Sequence, residues 1–125
     1  MNKTEFLTSL YDLLSPLESQ GITVQGSESE VVSTTPLVTF SIINWNNELR
    51  RKNFKWVNVV VMVSVYGNNS VQCTEINDTI DEILEELDFS TTDLSNGYDR
   101  ASGKHKLVSV YSRFMDEFGN SYNIA

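Results

Sequence analysis

The chain has 125 residues, a length typical of one domain and sufficient for a hydrophobic core. Hydrophobic residues make up 40% of it, which excludes a disordered chain, and its formal charge of −8 argues against nucleic acid or an anionic membrane surface as the main partner. The amino-terminal stretch has polar residues every few positions, so we expect neither a signal peptide nor a membrane span.

The first predicted helix ends or kinks near Ser15, because Pro16 lacks a backbone donor. Its apolar residues recur at spacings of three and four, at Phe6, Leu7, Leu10, Leu13, Leu14 and Leu17. A short strand is predicted at 22–24. Residues 25–35 are polar, acidic and rich in turn formers, and we interpret them as a flexible loop.

Two long strands, 37–43 and 54–66, are predicted to pair as the central hairpin of a sheet. The second has valine on every other position, at Val57, Val59, Val61, Val63 and Val65. Because its other side is also mostly apolar, we expect a central strand that is covered at least in part on both faces. The first strand has a half-polar second face, which is suited to contact with water or a partner.

The polar connection between these strands, 44–53, contains Arg50, Arg51 and Lys52, a third of the basic residues of an acidic chain. It is either a solvated hairpin tip or an interface that reaches an acidic patch on another subunit. Trp45 favours the second interpretation, since aromatic residues and arginine are enriched in interface hot spots.

The second predicted helix runs from about Val71 to Leu87, with Asn69 or Ser70 as its N-cap. One side is apolar. The acidic side includes the four candidate contact residues Asp78, Asp81, Glu82 and Glu85. This side is either a solvated face or a charged subunit contact, for which the basic connection 44–53 is a complementary surface.

Residues 89–103 are rich in Ser, Thr, Asp and Gly, and we expect only a short irregular strand near 91–96, with a turn at Asn96-Gly97. The last clear strand is predicted at 104–115. Residues 116–125 are predicted to form a turn and a tail, which folds back as a short strand or remains extended.

The whole pattern predicts one α+β domain over 1–125. Its sheet is expected to be mixed or antiparallel, with about four strands and a long central hairpin, packed by two helices in the order α-β-β-β-α-β.

Catalytic and metal chemistry have little support in the sequence. Cys73 is the only cysteine and His105 the only histidine, so neither an internal disulfide nor a zinc site of the usual ligands can form within the chain. Cys73 falls on an apolar helix side, where we expect a small core residue. No catalytic triad, phosphate loop or sheltered carboxylate pair is evident, so we expect no enzyme, no metal and no cofactor.

Several stretches together resemble one protein family. They are TPLVTFSI, NVVVMVSVYG, the acidic helix DTIDEILEEL, a GYD loop and VYSRFMDEFGN. From about Phe6 to Asn120 the chain resembles the tail terminator proteins of long-tailed bacteriophages and prophages, also called tail completion, tail-to-head joining, minor capsid or minor tail proteins. The resemblance implies a small α+β fold and a hexameric ring that caps the tail tube, with no catalytic residues.

The same resemblance implies the partners and the location. The partners are other copies of the chain, the tail tube protein and a head-completion or connector protein, with DNA only passing through the lumen and no membrane involved. The protein is then expected in the host cytoplasm during assembly and at the head-tail junction of the virion. The alternative from the residues is a small acidic adaptor or immunity-type inhibitor that binds a basic protein.

Overall fold

The computed structural model of the chain describes residues 3–26, 35–51, 54–99, 103–116 and 121–122. In chain order the elements are α1 (Lys3–Leu14), a 3-10 helix (Ser15–Gln20), β1 (Thr23–Gln25), β2 (Leu37–Arg51), β3 (Phe54–Gly67), α2 (Ser70–Glu85), β4 (Ser90–Asp99), β5 (Lys104–Asp116) and β6 (Ser121–Tyr122).

The α+β class is confirmed, with a mixed sheet in the order β1-β2-β3-β5-β4 and β6 beside β5. The β1–β2 pair is parallel and the other pairs are antiparallel. The long central hairpin is β2–β3, which pairs from Leu37 and Tyr66 to Arg51 and Phe54. The expected count of four strands was wrong, because two strands follow α2 in addition to β5.

Strand β4 is longer than predicted, because the whole stretch forms a hairpin with the strand that follows it. It pairs with β5 from Ser90 to Asp99, so Asn96-Gly97 lies inside a strand and not in a turn. Ser, Asp, Asn and Gly have low strand propensity, but a long neighbouring strand supplies hydrogen bonds that override it.

The polar connection predicted at 44–53 is also mostly strand. Strand β2 continues to Arg51, and β3 begins at Phe54. The register shifts between Ile42 and Asn44, and again before Leu49. With these two shifts the polar residues of β2 continue to pair with β3. Such bulges add a residue to one strand without ending the pairing.

Two other predictions fall partly outside the described residues. In the predicted loop 25–35, residues 27–34 lie outside the described residues. In the predicted tail 116–125, residues 117–120 and 123–125 do so. Within that tail, β6 pairs with β5, as the folded-back alternative predicted.

The main core lies between one face of the sheet and both helices. The five alternate valines of β3 are at most 3% exposed, as predicted. From α1, Phe6, Leu10 and Leu14 join the same core cluster, and from α2, Ile80 and Leu84 do so. The change to a 3-10 helix at Ser15 confirms the predicted end of α1.

The second face of the sheet carries no helix among the described residues. Its apolar residues Val60, Met62, Val110 and Phe114 are half-buried. Near the start of β2 this face is fully buried, at the cross-strand pairs Leu37–Tyr66 and Thr39–Ser64. Strand β3 is therefore covered completely on one face and partly on the other, as the sequence predicted.

Candidate interaction surfaces

The start of α2 is held by two side-chain hydrogen bonds. The Asn69 side chain accepts a bond from the backbone N–H of Gln72 at 2.8 Å, and the Gln72 side chain accepts one from the backbone N–H of Asn68 at 2.8 Å. This arrangement satisfies donors that a helix start leaves open.

In the first turn of α2, Cys73 is fully buried, and burial raises the pKa of its thiol. Cys73 is thus the core residue that the sequence predicted.

Because the side of α2 that carries Cys73 is buried in the core, the acidic side faces outward. Asp78, Glu82 and Glu85 are exposed and spaced by four and three residues, so they form one stripe along the helix. Asp81 is half-buried and accepts a hydrogen bond from the Tyr111 hydroxyl. Burial, and then this bond, raise the pKa of Tyr111. Three of the four predicted acidic residues are therefore available to a partner, and Asp81 also holds α2 to β5.

The predicted basic surface is divided by the structure. Trp45 is half-buried and packs edge-on against Phe6 of α1, with 5.6 Å between ring centroids. Arg50 and Arg51 lie near the far end of β2, roughly 15 Å along the strand at its usual rise per residue. Lys52 lies outside the described residues. Trp45 therefore packs against the core and is also partly exposed at the surface.

The basic end of β2 and the acidic stripe of α2 do not meet within one copy. Among the described residues, α2 packs on β3, β5, β4 and α1 but not on β2. Strand β2 and strand β4 lie on opposite sides of the β3–β5 centre of the sheet. The acidic stripe and the strand end that carries Arg50 and Arg51 in the sequence thus lie on elements that do not touch in the described part of the chain.

Both long edges of the sheet are open over much of their length in the described part of the chain. Strand β1 pairs with Leu37–Thr39, and among the described residues no strand pairs with 40–51 of β2 on that side. On the opposite edge, the one strand that pairs with β4 among the described residues is β5. Unpaired edges present backbone donors and acceptors to any strand that approaches.

A groove of about 540 Å³ follows the open edge of β2. Leu7 of α1 forms one wall, and Ile42, Ile43 and Trp45 form the other. Ile43 sits at the first register shift and is 52% exposed. Lys3, Ser41 and Asn44 also line it, so the groove is mixed in character, with polar as well as apolar walls.

A smaller cavity of about 160 Å³ lies under the end of α2. Its apolar walls include Phe6, Leu10 and Phe89, and Arg113 closes one side. The Arg113 guanidinium lies 4.9 Å from the centre of the Phe89 ring and donates a 2.8 Å hydrogen bond to the carbonyl of Leu87. Burial lowers the pKa of Arg113. These contacts make Arg113 a packing residue.

The described residues contain no group of three or more His, Cys, Asp or Glu side chains placed to hold a metal ion. None of the helices in that part of the chain is long and apolar enough to cross a membrane.

Sequence reasoning missed the two most exposed aliphatic residues of the sheet edges, Ile43 on β2 and Leu94 on β4. Leu94 is 57% exposed. Its signal was a single leucine within a polar stretch, which alternation alone does not assign to an edge.

Comparison with models of known protein families and with curated proteins finds no match.

Proposed function

We propose that the chain is a structural protein of a long-tailed phage or prophage, which caps the tail tube as a ring and joins the tail to the head connector. The observation that carries this proposal is the separation of charge. Arg50 and Arg51 fall at the end of β2 and the acidic stripe lies on α2, with no contact between β2 and α2 among the described residues.

This separation favours head-to-tail contacts between copies. The acidic stripe of one copy and the basic end of the next are different surfaces, and repeated contacts between different surfaces close into a ring when the rotation allows it. Complementary charge would select the partner surface and speed encounter. A ring of strongly acidic copies would also repel DNA that passes through it, as a conduit requires.

The second candidate is an acidic adaptor or immunity-type inhibitor. It is favoured by the exposed stripe Asp78, Glu82 and Glu85, which could neutralise a basic protein surface. An inhibitor of this kind needs no second copy of itself and would bind its target as a monomer.

Capping of growing tail tubes tests the first proposal. Tail-tube subunits from the same source are polymerised with and without the purified chain, and tube lengths and ends are measured by negative-stain electron microscopy. We expect tubes that stop lengthening and carry a ring of density at one end. Unchanged lengths and bare ends would contradict the proposal.

A charge-reversed pair of variants makes the same experiment specific. Glu82→Lys with Glu85→Lys should abolish capping, since it removes the acidic stripe that the next copy needs. The matched control is Asp12→Lys with Glu18→Lys, the same change in net charge at exposed residues of the amino-terminal helices. Loss of capping in both variants would show that net charge, and not the stripe, is responsible.

A further inference from the structure

The smaller cavity, under the end of α2, is apolar and reaches the surface. Five of its seven lining residues are phenylalanine or leucine, and the other two are Ser9 and Arg113. Phe6, Leu10 and Phe89 are buried in its walls, whereas Ser9 and Leu13 of α1 are exposed. The cavity is therefore open to a group from outside, and it offers a water molecule few hydrogen-bond partners.

The size and the walls of this cavity fit an aromatic ring. Apolar cavities of ~150 Å³ can hold a benzene molecule, and this cavity has a volume of about 160 Å³. Two of its wall residues are aromatic, Phe6 and Phe89, with 6.2 Å between their ring centroids. A further ring in the cavity would add aromatic contacts that an aliphatic side chain of similar size lacks.

The α2 side of the opening is acidic. Glu86 directly precedes Leu87 of the cavity wall, and Asp88 directly follows it. Glu82 lies one helical turn before Glu86, so it is a neighbour on the same side of the helix. All three carboxylates are exposed. A group that enters the cavity from solvent therefore passes several negative charges.

The positive charge of Arg113 is engaged within the cavity wall. Its guanidinium donates a hydrogen bond to the carbonyl of Leu87 and lies over the Phe89 ring. Burial lowers the pKa of Arg113, and the negative charges of Asp88 and Asp116 act in the opposite direction. Arg113 is thus partly neutralised by its own neighbours, and the opening stays attractive to cations.

We propose that this cavity is a docking site for an aromatic side chain that is flanked by lysine or arginine on a partner protein. The ring would fill the cavity, and the flanking cations would lie near Glu82 and Glu86. An aromatic anchor in a desolvated pocket is a common form of interface hot spot. The inference does not depend on a ring of copies, because it specifies the chemistry of the partner segment.

Short peptides test this chemistry on the natural chain. The probe is acetyl-Lys-Lys-Phe-Lys-Lys-amide, and binding is followed by heteronuclear NMR of the labelled protein. We expect saturable shifts of the backbone amide signals of Leu10, Leu13 and Phe89. Replacement of Phe by Ala in the peptide should weaken binding about tenfold or more, since the ring supplies the buried apolar surface.

Two peptide results would overturn the proposal. Equal affinities of the Phe and Ala peptides would show that the ring does not enter the cavity. Equal affinities of the probe and of a peptide with Glu in place of every Lys would show that the acidic opening does not select cations. Binding of benzene without binding of the probe would likewise overturn it, in favour of a site for a free apolar molecule.

A substitution at the opening connects the binding to this cavity. Ser9→Trp places a large side chain at an exposed lining position, so it should abolish binding of the probe without unfolding the protein. The matched control is Thr8→Trp, at an exposed residue of the same helix that does not line the cavity. Equal binding by the two variants, whether kept or lost, would overturn the assignment.

A second pair of variants tests the charge at the opening. Glu86→Lys should weaken binding of the probe several-fold, because it replaces an attractive charge by a repulsive one. Glu75→Lys makes the same change at an exposed residue roughly 16 Å nearer the start of α2, beyond the Debye length at physiological salt. It should leave the affinity nearly unchanged, and equal losses in both variants would contradict a local role of Glu86.

Peptide binding and tube capping are independent results, because the peptides contain no part of a tail. Binding of the probe together with failed capping would support this inference and contradict the proposed function. Capping without binding of the probe would overturn this inference and leave the proposed function intact.

Discussion

Two buried serines on neighbouring strands differ in a way that only the structure reveals. Ser64 on β3 and Ser109 on β5 are both at most 1% exposed. The Ser109 hydroxyl donates to the Asn77 side chain, but the Ser64 hydroxyl has no hydrogen-bond partner among the described residues. A buried hydroxyl contributes to stability only when it is paired.

The two alanine substitutions should therefore have opposite consequences. Ser109→Ala should lower the free energy of unfolding by about 1–3 kcal/mol, because it leaves the Asn77 carbonyl oxygen buried without its donor. Ser64→Ala should leave stability unchanged or raise it. Urea unfolding followed by circular dichroism measures both, and an equal loss in the two variants would contradict this account.

At the level of single residues, the sequence was informative where a pattern repeats. The alternate valines of β3 and the buried positions of α1 were predicted because each belongs to a period of two or of 3.6 residues. The partial burial of Trp45 was not predicted, since the register shift after Ile42 changes which face the following residues occupy. A bulge has no periodic signature.

The junction between β3 and α2 depends on Gly67, because the first turn of α2 leaves no room there for a side chain. A Cβ atom at Gly67 would lie 2.9 Å from the Sγ of Cys73 and 3.0 Å from the Oε1 of Gln72. The first turn of α2 therefore packs directly on the end of the strand. This contact fixes the position from which the acidic stripe begins.

Gly67→Ala should destabilise the fold by about 1–3 kcal/mol, the usual cost of overpacking. The cost should be smaller in a Cys73→Ala background, where the nearest atom is absent, and a double-mutant cycle in urea measures that coupling. Gly97→Ala is the control, because nothing lies within 4 Å of a Cβ atom at Gly97. Equal costs in both backgrounds would show that Cys73 does not limit the space.

Whole elements were predictable when their signals were local. The end of α1 followed from Pro16 and the start of α2 from Asn69, and both are where the sequence placed them. Strand β4 and the distal half of β2 were missed because their polar residues have low strand propensity, although each stretch pairs with the next strand along the chain. Pairing with a long, strongly strand-forming neighbour overrides that propensity.

Over the whole molecule, the arrangement of surfaces matters more than any one site. Both helices cover one face of the sheet, and the acidic stripe of α2 lies on an element that does not contact β2 among the described residues. Of the candidate contact residues, the exposed stripe of α2 was predictable from helical periodicity. The groove beside β2 was not, since it depends on how α1 lies against a bulged strand.

The native mass in solution tests the central claim most directly. Light scattering over a series of concentrations, with negative-stain images of the same samples, measures whether copies assemble and in what symmetry. We expect rings, because contacts between unlike surfaces close by rotation, and about six copies in each ring, as the resemblance to tail terminators implies. A monomer, or a two-fold dimer, at every concentration would contradict it.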